Sequence, residues 1–110
     1  MSEYIKFKFD KEEIFLGYTK RQTVRSAESM GVDFLNGASK IFSSYDLLIK
    51  CAMVEKQPEM TDEVAEKVID KMIEKGAYTP IATELLKQAM GLYNPQSGTK
   101  KEYAIEKVQM

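Results

Sequence analysis

The chain contains no histidine, which removes at once the commonest general base, proton shuttle and metal ligand. Catalysis by carboxylates, lysine or tyrosine stays open, but no cluster of these residues announces itself. The weight therefore shifts from an enzyme towards a binding or assembly protein, with no catalytic, cofactor-binding or metal-ligating residues expected. Cysteine is almost absent too. The single Cys51 cannot form an internal disulfide, which fits a reducing cytoplasm. With no histidine to activate its thiol, it reads as a small buried hydrophobe. Neither charge is in excess: Lys and Arg number 16 and Asp and Glu 17, a net charge of -1. No segment departs from this balance, since residues 1–30 carry six basic and five acidic groups and residues 61–95 carry four and six. Nucleic acid therefore has no electrostatic footprint here. No apolar run approaches the length of a membrane span, and MSEYIKFKFDKEE lacks the apolar core of a secretory signal. The expectation is a soluble, cytoplasmic protein with neither membrane nor nucleic acid as partner. Phosphate loops, nucleophile elbows and dinucleotide fingerprints are also missing from the sequence.

What is present is ordinary for a globular protein: 44% hydrophobic and 30% charged residues in a chain of 110. That length predicts one domain with a modest core, here residues 1–95, followed by a polar tail over 96–110. The stretch KIFSSYDLLIKCAMV (residues 40–54) is the least soluble-looking. Turned at about 100° per residue, it is apolar almost all round, with Ser43, Asp46 and Lys50 in a polar sector of roughly 60°. Such a helix belongs inside a fold or an assembly, and it is expected to be the hub of the domain.

Upstream, YIKFKFDKEEIFLGY alternates with period two. A four-residue loop at 10–13 would set Phe9 opposite Ile14, Phe7 opposite Leu16 and Ile5 opposite Tyr18, all on one face of an antiparallel hairpin. Thr19, followed by Gln22, has the form of a capping box opening a helix over residues 20–30. Val24, Ala27 and Met30 mark its narrow apolar edge, and Gly31 stops it. Val32, Phe34 and Leu35 then plug into the core, and Ser39 is placed to cap the hub helix. The Ala27/Gly31 spacing faintly matches a helix-turn-helix, but Gly37 interrupts the would-be recognition helix and the field is not basic.

Beyond the break at Pro58, Thr61 is placed to cap a helix over 62–75 that Gly76 ends. Thr79-Pro80 opens another over 80–90, running to Gly91. The carboxylates of Asp62, Glu63, Glu66 and Asp70 read as a solvated face, with Glu63 four residues before Lys67. They lack the loop spacing of a calcium site. The two helices share a pattern: Val64-Ala65, Val68-Ile69 and Met72-Ile73 match Ile81-Ala82, Leu85-Leu86 and Ala89-Met90. Doublets every four residues cover an arc of about 180°, where a helix on one core needs little over 100°. The surplus either packs between the helices and the hub or forms a groove for a partner helix. On the second reading the partner-facing candidates are Ile69, Met72, Ile73, Leu85, Leu86, Met90 and Tyr93. Seven methionines favour an adaptable surface a little. The tail opens with turn residues, and its weak Tyr103/Ile105 alternation allows an added strand on the hairpin edge, although a flexible tail is the expectation. The fold expected is α+β: an N-terminal antiparallel hairpin, then about four helices around the apolar helix 40–54.

This order of elements resembles the small tail assembly chaperones of long-tailed bacteriophages and prophages. The resemblance rests on IKFKF…EEIFLGYTKR, the short capped helix, ASKIFSSYDLLIKCAM and the closing ELLKQAMGLYNP, and covers residues 4–95. It implies a non-enzymatic protein that coats a long helical tape-measure protein, keeps it soluble and hands it to tail-tube subunits. It also implies absence from the finished virion and a longer product made by ribosomal frameshifting, with which Lys100-Lys101 is compatible. A structural virion component, such as a head–tail connector or minor tail protein oligomerising through the hairpin edge, is the alternative. A small transcription regulator is a more distant one.

Overall fold

The computed structural model describes residues 4–34 and 41–93. It has an α+β fold: strands β1 (Ile5–Phe9) and β2 (Glu12–Leu16), then helices α1 (Arg21–Ser29), α2 (Ile41–Lys56), α3 (Asp62–Glu74) and α4 (Tyr78–Tyr93). One continuous core draws side chains from the hairpin and all four helices. The expected capping role of Ser39, the plug at Leu35, the break at Gly37 and the tail over 96–110 lie outside the described residues.

The hairpin forms as expected but in a different register. Its pairs are Ile5–Leu16, Phe7–Ile14 and Phe9–Glu12, with Lys8 opposite Glu13. The turn is therefore two residues, Asp10-Lys11, and not four. Asp10 makes this possible by taking a left-handed conformation (φ 55°), which aspartate tolerates better than most residues. The shift is by two positions, so the apolar face is unchanged, and Tyr18 is released from the ladder into the core. There its hydroxyl donates to the Leu48 carbonyl at 2.6 Å, and its ring meets Phe34 edge-on at 5.5 Å.

α2 is the hub. It packs on β2, α1, α3 and α4, and Leu48, Ile49, Ala52 and Met53 are fully buried. Its C-terminal end also closes the outer edge of β2. Gln57 accepts from the Phe15 N–H at 2.8 Å and donates to the Phe15 carbonyl at 2.9 Å, taking the place of a neighbouring strand. The Gly17 N–H donates to the Ala52 carbonyl at 3.2 Å. A side chain at Gly17 would meet the Tyr4 ring at 2.8 Å, so only glycine lets the chain pass that close.

Two helix ends behave as their glycines dictate. At Gly31 the Val32 N–H returns to Ala27 (3.0 Å), and at Gly76 the Ala77 N–H returns to Met72 (2.8 Å), the six-to-one bonds of a left-handed helix stop. Thr61 caps α3, its hydroxyl accepting from the Val64 N–H at 3.2 Å. Three expectations fail. Thr19 does not cap α1: Lys20 is the N-cap and makes no side-chain cap bond, because the Thr19 amide and hydroxyl are both bound to Glu55. α4 begins at Tyr78, where the hydroxyl donates to Asp46 at 2.7 Å. Pro80 is tolerated in that first turn because its amide would have no helical partner there. Nor does α4 stop at Gly91; it runs to Tyr93, and packing of Leu92 on the core offsets a glycine cost of about 1 kcal/mol.

Candidate partner-binding surface

The doublets of α3 and α4 are split by burial. About the helix axis, Val68, Met72, Ala65 and Ile69 fill the middle of the α3 arc, from roughly 40° to 140° past Val64, and all are buried. Val64 and Ile73 form its two margins and are exposed. In α4 the middle is Leu85, Ala89 and Ala82, again buried, but of its two margins Ile81 is buried as well and only Met90 is exposed. This is the width one core can cover.

The seven candidates therefore divide. Ile69, Met72 and Leu85 are core residues with no free surface for a partner, and Leu86 is half-buried against the core. Ile73 (57% exposed), Met90 (38%) and Tyr93 (50%) remain accessible. They do not meet as one patch: Ile73 lies at the α3–α4 turn, whereas Met90 sits twelve residues along α4 from Tyr78, about 18 Å at the helical rise. Ile73 instead shares a cavity of about 370 Å³ with Phe42, Asp46, Tyr78 and Thr79.

A larger groove, about 530 Å³, lies elsewhere. It is lined by α1 (Thr23, Ser26) and its C-cap Met30, by α3 (Asp62, Ala65) and its N-cap Thr61, and by α2 (Leu47, Cys51, Val54) with Met60. Met30 and Val54 are 59% and 43% exposed within it. The thin apolar edge of α1 explains the opening. Val24 and Ala27 reach the core, and with so little to bury α1 leaves this groove between itself and α3. Met30, expected on the packed edge of α1 with Val24 and Ala27, is exposed instead, so the sequence carried no signal for the groove there. Val54 and Met60 carried none either.

Two charged groups of the groove are paired with their neighbours. Lys50 bridges to α3 through Asp62 (2.9 Å) and Glu66. Burial opposes its charge, but the bonds from these two carboxylates prevail and raise its pKa. Glu55 accepts from the Thr19 N–H (3.0 Å), the Thr19 hydroxyl and the Tyr4 hydroxyl (2.9 Å). Partial burial pushes its carboxyl up, yet these bonds and one from Thr23 outweigh it and hold the pKa below the usual value. Burial raises the Cys51 thiol, and its hydrogen-bonding neighbour is the Met30 sulfur at 3.7 Å, not a base. Among the described residues no group of Cys, Asp and Glu is placed to hold a metal ion, and no helix is long and apolar enough to cross a membrane. What the groove can do is take up apolar side chains. No protein-family model, curated protein or solved structure matches the chain.

Proposed function

We propose that the protein is a non-enzymatic assembly chaperone, binding an apolar helical stretch of a long partner and shielding it until assembly. The observation that carries this reading is the groove between α1, α2 and α3, where Met30 and Val54 stand exposed above Leu47 and Cys51. Single exposed apolar residues are normal; two sharing a concave site mark a place for another apolar surface. An amphipathic helix presents side chains at the spacing such a groove accepts, and methionine adapts to more than one of them. That the client is a tape-measure-like protein, handed on to tail-tube subunits in the host cytoplasm, rests on the family resemblance of residues 4–95.

Co-expression with the long helical client tests the reading. The expected result is a co-purifying complex and a more soluble client. Met30→Glu combined with Val54→Glu should weaken capture at least about tenfold, the effect of ~1.4 kcal/mol, with the helical content of the chain unchanged. Ile73→Glu, away from the groove, should leave capture intact. No complex and no gain in client solubility would overturn the proposal. Recovery of the protein from purified particles would favour a structural virion component instead.

A further inference from the structure

We infer that the helix taken up by the groove carries basic side chains along the flank that faces α3. This rests on the groove reading above and adds to it the charge of the client. The groove is about two helical turns long. Leu47 and Val54 on α2 stand seven residues apart, as do Thr23 and Met30 along α1, about 10.5 Å at the helical rise. A helix lying along it therefore brings one apolar side chain per turn to Leu47, Cys51 and Val54, with its two flanks turned towards α1 and α3.

Those two sides of the groove differ in charge. α1 offers the hydroxyls of Thr23 and Ser26, with Lys20 at its start. α3 carries five acidic and two basic residues, and Asp62, Glu66 and Asp70 recur every four positions, which sets them along one edge of the helix. Lys50 identifies that edge as the one beside the groove, since it lines the groove and bridges to both Asp62 and Glu66. One ammonium shared between two carboxylates leaves this side negative. The lysine is also the recessed partner: its side chain is 18% exposed, against 79% for Asp62 and 50% for Glu66. An incoming helix meets carboxylate before ammonium. Lysine or arginine residues one turn apart on the α3 flank match Asp62 and Glu66, which are themselves one turn apart. On the α1 flank the same residues would meet Lys20, and acidic residues on the α3 flank would be repelled. Charge thus selects among helices that share one apolar stripe.

Three synthetic peptides test the inference, each about 18 residues long so that it can hold a helix, with one leucine stripe in common. One flank bears two lysines, two glutamates or two glutamines a turn apart. By fluorescence anisotropy the lysine peptide should bind about tenfold more tightly than the glutamate peptide, the difference made by two exposed charge pairs turned from repulsive to attractive. The preference should vanish in about 1 M salt, where screening acts within a few ångströms. Asp62→Asn with Glu66→Gln should also abolish it and leave the affinity of the glutamine peptide unchanged. Equal affinities for the three peptides would overturn this inference and leave the groove reading standing, whereas failure of all three to bind would overturn both. A lysine preference that persists in high salt or in the double variant would place the selectivity elsewhere and overturn the inference. Lysine-peptide binding that survives Met30→Gln with Val54→Gln would lie outside the groove and overturn it equally.

Discussion

Gln57 performs the work of a strand with one side chain. Its carboxamide both accepts from the Phe15 N–H and donates to the Phe15 carbonyl, and its amide nitrogen also reaches the Met53 carbonyl. Glutamate there would keep the acceptor but set a carboxylate against a carbonyl. Leucine would keep the bulk and lose both bonds, leaving two main-chain groups unpaired at a half-buried edge. Such groups cost about 1–3 kcal/mol. Gln57→Leu is therefore expected to lower the urea midpoint by the equivalent of that amount and to speed exchange of the Phe15 amide. A variant with an unaltered midpoint would show that water satisfies this edge and that Gln57 is incidental. Nothing in the sequence marks the residue, which sits in a polar break beside Pro58, because its partner is 42 positions away.

At the scale of elements, the two threonines read as helix caps give opposite outcomes, and the reason is what lies nearby. Thr61 has only its own helix to serve, so the local pattern decides and the cap forms. Thr19 stands one residue before Lys20, the N-cap of α1, and its amide and hydroxyl both donate to the carboxylate of Glu55, a charge-assisted pairing. Thr61→Ala should accordingly cost about 1 kcal/mol through α3 and speed exchange of the Val64 amide. Thr19→Ala should leave exchange in the first turn of α1 unchanged, since no cap is lost there; accelerated exchange in that turn would contradict the assignment. The same contrast explains what was legible in the chain. Helix stops at Gly31 and Gly76 depend on one residue's backbone freedom, and period-two alternation marks both strands, so these are read locally. The hairpin register depends on Asp10 accepting a left-handed turn, and the ends of α4 on Tyr78 finding Asp46 and Leu92 finding the core. These are tertiary facts.

For the molecule as a whole, the width of an apolar arc is written in the sequence, but which part of it is covered is not. The surplus on α3 and α4 was visible as a 180° stripe. Its split into a buried middle and exposed margins at Ile73 and Met90 required the position of α2. The larger groove was hidden because it arises from how little α1 packs. Bordering that groove, Glu55 ties the molecule together, joining Tyr4 before β1, Thr19 after β2 and α2 itself. Its folded pKa lies below the ordinary 4.5 because hydrogen bonds to the charged form outweigh burial. The sign follows: the charged form is bound more tightly in the folded state, so this stabilisation is complete above the unfolded pKa. It is lost as the pH falls through the lower folded value. Glu74 is shifted the same way by Lys71, but that pair lies at the surface and is screened by solvent, so it adds little to the slope. Glu55→Gln keeps one acceptor for Thr19 and removes the titration. Stability measured by denaturant titration from about pH 3 to about pH 6 should place the variant below the unaltered chain at the upper end. The two curves should converge as the pH falls, because protonating Glu55 makes the native site resemble the amide. Parallel curves across the range would mean that the network does not distinguish carboxylate from carboxylic acid, and that Glu55 holds the hairpin to α2 by geometry alone.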